Sequence, residues 1–399
     1  MDPSQPGRRP AHRATGAFAL TTLLAAVLAA GCGGAPGGSE QGSGTTASDT
    51  PGGGSTGPTG RLVPPGEPET VATGLEVPWG IAALPSGGAL ATERDSGRVI
   101  RVADDGRVSE VGTVAGVRPR GEGGLLGIAL DPYGERPEKV YVYYTARSDN
   151  RIARIDLEWG RDGDLALGES RVLVKGIPAA DHHNGGQLAF GPDGLLYAAT
   201  GDAGRESRAQ DTGDLGGKIL RMTPDGRPAD GNPFDNLVYS YGHRNVQGLA
   251  WGPEDVLFAT EFGQDTYDEV NVIEAGGNYG WPEVEGVGGP DAPDDLVDPV
   301  VTWTTEESSP SGAAVAGGSL WVAALRGERL WRMPLTGQAD TPLGEPEALF
   351  TGEYGRLRAV VPAPGGAGLW AATSNRDGRG DPAADDDRVL RVPLEEDGG

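Results

Sequence analysis

WGIAALP (79–85), LLGIALDP (125–132), GQLAFGPDG (186–194), QGLAWGP (247–253), GAAVAGG (312–318) and RAVVPAPGG (358–366) read as six versions of one short strand. Each mixes small and aliphatic residues and then runs into a Gly- or Pro-rich turn, the punctuation expected between strands. Behind a copy comes an apolar strand ending in small residues, such as LLYAATG (195–201) or GLWAATS (368–374). A strand with Arg before its last apolar residue follows, as in KILRM (218–222). From Val71 onward almost no 3.6-residue periodicity interrupts these runs, so the chain is all-β. The copies stand roughly 45 to 65 residues apart, which predicts a six-bladed β-propeller of four-stranded antiparallel blades. The competing reading is a large two-sheet sandwich. The wider spacing between the second and fifth copies implies insertions there, which a propeller would place around a central pocket.

The first residues read differently. Arg8, Arg9 and Arg13 lead into an apolar run, Ala14 to Ala30, that stops at Gly31-Cys32. That is the pattern of an export signal, and the run is short for a membrane span. Cys32 is the only cysteine, so it forms no internal disulfide. Its context, Leu28-Ala29-Ala30-Gly31-Cys32, resembles the lipobox of bacterial lipoproteins, which implies cleavage at and acylation of Cys32. Residues 33–66 are Gly-, Ser- and Pro-rich and cannot bury a core, so a flexible tether spanning roughly 30 Å is expected. The expected organisation is a lipoprotein signal peptide (1–31), a tether (32–66) and one propeller domain (67–399). The formal charge is −25, from 33 basic and 58 acidic residues. Such a surface repels nucleic acid and anionic lipid, leaving membrane contact only through the anchor on Cys32.

Four constellations carry chemistry. Apart from His12 in the signal segment, the histidines are His182, His183 and His243. Asp181-His182-His183-Asn184-Gly185-Gly186 is a loop entering a first strand, and Asp202 follows nineteen residues after His183. A histidine held by a carboxylate has its tautomer fixed, as a general base requires. Without further His or Cys, the two adjacent histidines complete no zinc or copper set. Tyr241-Gly242-His243-Arg244-Asn245 leads into another first strand. Glu261 to Asn271, continuing to Gly276-Gly277-Asn278-Tyr279-Gly280-Trp281, is dense in oxygen donors and glycine, suited to a hard cation such as calcium or simply solvated. Arg356 and Arg358 stand two apart on a strand, so both point to one side, toward a shared polyanion or a surface ion pair.

These stretches together resemble the soluble aldose sugar dehydrogenases of the glucose/sorbosone dehydrogenase family, which use pyrroloquinoline quinone. The resemblance runs from about Gly74 to Leu394. It rests on GLEVPWGIA, GGLLGIALDP, HNGGQLAFGPDG, GDLGGKILRMTPDG, YSYGHRNVQGLAW, DEVNVIEAGGNYGWP and GRLR, in that order. It implies a quinone over the propeller axis, with His183 as the base for the sugar C1 hydroxyl and Asp202 orienting it. Arg244 and Asn245 would contact the cofactor, and Arg356 and Arg358 its carboxylates. Glu269 and the Tyr279 carbonyl would hold one calcium, and the Gly263 and Gln264 carbonyls a second that polarises the quinone. The implied partners are an aldose substrate and a separate electron acceptor.

The chain departs from the family pattern at several places. Glu122 stands beside the cofactor site where glutamine is common, and His182 where one branch has Asp. Leu325-Arg326 falls where that branch has a cofactor lysine, and Phe262 and Gln264 replace other residues. Two rival functions remain at this level: a non-catalytic calcium-stabilised propeller that binds a protein or glycan, and a propeller lactonase. The lactonase would need an axial cage of Glu, Asn and Asp that this sequence lacks.

Overall fold

The structure, a computed structural model, describes residues 65–394 apart from Asp162 and Ala367. The signal segment, Cys32 and nearly all of the tether lie outside the described residues. Six four-stranded antiparallel sheets follow one another as blades. Their inner strands are Pro78–Ala83, Leu125–Leu130, Leu188–Phe190, Val246–Trp251, Pro310–Ala316 and Leu357–Pro362, the six copies read from the sequence.

Why these strands close into a ring is visible in their glycines. Gly80, Gly127, Gly248 and Gly312 occupy one equivalent place on four inner strands. A Cβ on Gly312 would sit 2.9 Å from Ala359 Cα, and one on Gly80 would lie 3.1 Å from the Leu126 carbonyl. On Gly127 and Gly248 it would collide with the carbonyls of Gly186 and Ser311. Each glycine lets one inner strand lie against the backbone of the next, which a side chain would forbid. The apolar core is correspondingly divided into six clusters, each between two neighbouring blades. Tyr141, Tyr143 and Leu188 fill the gap between blades two and three, for example, and Trp321 and Leu369 that between five and six.

The sixth blade is closed from the other end of the chain. Glu69–Ala72 pairs antiparallel with Val389–Pro393, Glu69 lying opposite Arg391. Pro65 also bridges Leu394.

Candidate active site

The second strand of blade three ends at Ala199, and the chain turns through Thr200 and Gly201 to Asp202, which is almost wholly buried. Its Oδ1 accepts from His183 Nδ1 at 2.8 Å and from the Gly204 amide at 2.7 Å, while Oδ2 accepts from Trp281 Nε1 at 3.0 Å. Burial opposes its ionisation, but these donors outweigh it and hold the carboxyl below the usual range. An ionised carboxylate only accepts, so Nδ1 is the donor in this bond and Nε2 is the ring nitrogen left to face a substrate. His183 has φ of 55°, a left-handed conformation. Its amide donates to Glu122 Oε2 at 3.1 Å and its carbonyl accepts from Ala203 at 3.0 Å, which fixes that unusual backbone. Gly185 follows with φ of 61°, where a Cβ would sit 2.5 Å from Thr200. These contacts hold the loop in a conformation that presents the imidazole 14% exposed.

Beside this dyad a cavity of about 220 Å³ opens at the axis, lined by Trp79, Arg94, Glu122, Asn184, Gly185, Gln247, Phe262, Leu325, Arg356, Arg358, Asp377 and Arg379, among others. Three of its arginines are paired with carboxylates: Arg94 with Asp95 at 2.7 Å, Arg356 with Asp377 at 2.8 Å and Arg379 with Glu122 at 2.7 Å. Arg358 is not. Its Nη1 donates only to neutral partners, Gln247 Oε1 at 2.9 Å and Ser311 Oγ at 3.0 Å, and its guanidinium lies 4.8 Å over the Trp79 ring. Burial pulls Arg358 down to about 9, and the repulsion of Arg94 and Arg356 works against the support of Asp377 and Glu122. A buried cation without a counterion fits an anionic guest. Glu122 is ionised: burial resists, but Arg379, the His183 amide and Arg358 outweigh it.

A second, much smaller cavity lies between Arg244, Glu261, Gly263, Glu269, Tyr279 and Glu285. Glu261 accepts from the amides of Arg244 and Asn245 and from His243 Nδ1, the last at 2.8 Å. Burial and the charge of Glu261 push Glu269 up to about 8. Asn271 Oδ1 beside it is buried without a hydrogen-bond partner. Glu285 Oε1 gathers the successive amides of Gln264, Asp265, Thr266 and Tyr267 at 2.6 to 3.1 Å. Among the described residues, the carbonyls of Gly263, Gln264 and Tyr279 accept no backbone hydrogen bond. Among the same residues, no three acidic, His or Cys side chains are placed to hold a metal by themselves. A cation here would rely on carbonyl oxygens, which suits calcium rather than zinc.

Of the residues picked out from sequence, His183 and Asp202 form one pair, and Glu122, Arg356 and Arg358 line one cavity. Arg244 and Asn245 are not among its lining residues. Arg244 Nη1 bonds the Phe262 carbonyl at 3.1 Å, with its guanidinium over Trp281. Asn245 Oδ1 accepts from the Gly185 amide at 3.0 Å and from Gln247 at 3.0 Å. Sequence reasoning missed Arg94, Gln247, Asp377 and Arg379. Arg94 had a signal, since it lies two residues beyond the blade's second-strand threonine, the place that Asp202 and Phe262 hold in theirs. Arg379, inside the hydrophilic run NRDGRGD (375–381), had none.

A propeller with an oriented base next to an arginine-lined axial cavity falls among the propeller dehydrogenases, oxidoreductases acting on CH–OH donors. Residues 75–383 match the Glucose / Sorbosone dehydrogenase family. The PQQ-bound form of the aldose sugar dehydrogenase from Streptomyces coelicolor superposes with a TM-score of 0.77 at 55% identity, over 82% of this chain and 97% of that one. A putative glucose dehydrogenase from Thermus thermophilus gives 0.75 at 44% identity, over 82% and 99%. The Escherichia coli aldose sugar dehydrogenase YliI is 30% identical over 73% of this chain and 86% of its own. This chain belongs to the glucose/sorbosone dehydrogenase family, and is a sugar dehydrogenase.

Proposed function

We propose that the protein oxidises aldose sugars at C1 to lactones, using pyrroloquinoline quinone in the axial cavity and calcium. The observation that carries this reading is His183, oriented by Asp202 and held through its amide by Glu122, next to a cavity lined by Glu122, Asn184 and Gly185, in which Arg358 is buried with only neutral hydrogen-bond partners. Support for the cofactor comes from that arginine, because the quinone carries carboxylates, and from the PQQ-bound relative at 55% identity. His183 Nε2 takes the proton of the C1 hydroxyl, and Asp202 stabilises the resulting imidazolium. When bound, the quinone supplies the two-electron acceptor for the hydride that leaves C1. Glu122 holds the His183 amide, so the base stays on its loop while the proton moves. Arg356 and Arg358 hold the anionic cofactor. Arg244 and Asn245, held by Phe262 and Gly185 of the same cavity wall, would contact the cofactor from that side.

Calcium fits two places. Glu269 with the Tyr279 carbonyl offers one, beside the unpartnered Asn271 oxygen, and the Gly263 and Gln264 carbonyls offer the other, on a loop pinned by Glu285. An external electron acceptor then takes the two electrons. The basic and apolar leader ending at Cys32 supports export and a lipid anchor facing away from the cytoplasm.

The deciding experiment reconstitutes purified apoprotein with pyrroloquinoline quinone and calcium and follows dye reduction over a panel of aldoses. Quinone-dependent turnover on at least one aldose, abolished in His183→Ala, is expected. No turnover on any aldose would favour a non-catalytic propeller instead.

A further inference from the structure

The third strand of blade three opens on Lys218, which is fully buried and has no part in the chemistry above. Its Nζ donates to three main-chain carbonyls: Gly216 at 2.6 Å, Arg208 at 2.7 Å and Ala209 at 3.0 Å. All three belong to the excursion that leaves blade three at Gly201 and returns at Gly217. An ammonium has three protons, and here each has its own acceptor. Burial pulls the group down to about 8, against the help of Asp214 and Asp211. An apolar side chain would fill the same space without drying out a charge, so packing alone does not account for a lysine at this point.

The segment gathered by this ammonium is wired to the catalytic pair by two routes. Arg208 Nη1 donates to the Asp202 carbonyl at 3.0 Å. Gln210 Nε2 donates to the Trp281 carbonyl at 2.7 Å and to Asn278 Oδ1 at 2.9 Å. Trp281 in turn donates to the Asp202 oxygen that His183 leaves free. The main chain of Asp202 and its second oxygen thus both depend on residues 208–210.

We propose that Lys218 is a positioning residue, an internal ammonium standing where a bound cation would otherwise organise this excursion, so that Asp202 is kept in register with His183. The catalytic consequence rests on the reading of His183 as the base; the ordering of the excursion does not.

Two kinds of measurement test it. In apoprotein, amide hydrogen exchange of Lys218→Met should quicken across residues 203–217 and around Trp281 while the other blades stay as in wild type. In reconstituted enzyme, the same variant should lose turnover by on the order of tenfold to a hundredfold, the penalty of a misplaced catalytic group. Sugar KM and quinone affinity should stay within about twofold, because the lost contact matters at the reacting atoms. Lys218→Ala should regain part of its turnover with n-propylammonium, which replaces the missing chain and charge, and none with tetramethylammonium at equal ionic strength. Arg208→Met, at a half-buried position, reports independently if the lysine variants fail to fold, and should show the same split between turnover and KM. Unchanged exchange in Lys218→Met, or normal turnover in Arg208→Met, overturns the proposal. Quickened exchange in a protein that oxidises no sugar would leave the ordering role standing and overturn only the catalytic reading.

Discussion

At the residue scale, the site is a set of side chains whose second partners matter as much as their first. Asp202 accepts two hydrogen bonds at Oδ1 and one at Oδ2, which fixes its carboxylate and lets it hold His183 in one tautomer. His183→Ala should therefore keep quinone affinity while losing about 10²–10⁴-fold in turnover, measured by quinone titration with saturating sugar. The carboxyl of Asp202 is lowered on folding, so its stabilisation is complete above the ordinary carboxylate range and disappears as pH falls through its folded value. Asp202→Asn should accordingly flatten the acid side of a melting-temperature profile against pH. Arg358 is the opposite kind of residue, a charge that the folded protein alone leaves unmatched. Arg358→Ala should raise the quinone concentration needed for activity by roughly tenfold to a hundredfold, a lost charge-assisted bond of about 1.5–3 kcal/mol, with a smaller effect at saturation. Isothermal titration of the apoprotein with quinone reads this directly, and unaltered affinity would count against the cavity as the cofactor site.

At the element scale, the blades are near copies, and function sits where the copy is broken. The inner-strand position that is glycine at 80, 127, 248 and 312 is Gln187 in blade three and Arg358 in blade six. Four blades use the place to approach their neighbour, whereas blade six uses it to put a cation into the axial cavity. Gly248→Ala tests the first use. The new methyl would meet the Ser311 carbonyl and come within 3.0 Å of the Ala313 amide. Overpacking of this kind costs about 1–3 kcal/mol, so the melting temperature should drop by several degrees. Gly289→Ala, where nothing lies within 4 Å of the added carbon, should melt as wild type does.

At the scale of the whole molecule, closure and charge set the behaviour. The apolar clusters join only neighbouring blades, so a ligand that ties further elements together adds to the stability of the folded ring. Calcium held by Glu269, Gly263 and Tyr279 would do so within blade four and its long excursion. Chelation should lower the melting temperature, and Glu269→Ala should erase most of the difference between chelated and calcium-loaded samples. Identical curves throughout would show that the carboxylates around Glu261 are stable without metal. The leader ending at Cys32 predicts fractionation with membranes, and Cys32→Ser should release the protein to the soluble fraction. Mass spectrometry finding an unmodified mature N-terminus downstream of Cys32 would rule the anchor out.

Sequence alone determined the strand type, the blade count and the approximate place of every inner strand. Those features come from local patterning, alternation and turn chemistry repeated along the chain, and local patterning survives without coordinates. It also singled out His183 and Asp202, and Arg356 and Arg358, by residue type and spacing beside the repeat strands; the structure brings the first two into one hydrogen bond and the last two to one cavity. Tertiary structure alone decided who meets whom across the axis. Glu122 and Arg379 are paired although most of the chain lies between them, and Asp202 shares Trp281 with a loop of the next blade. Pairing of Glu69–Ala72 with the last strand is equally invisible in sequence, since four residues with no repeat partner carry no periodic signal. Ring closure converts distance along the chain into contact, so the cavity and its unmatched arginine exist only once the first and last strands have met, whereas the buried ammonium of Lys218 is decided within blade three by carbonyls at most ten residues away.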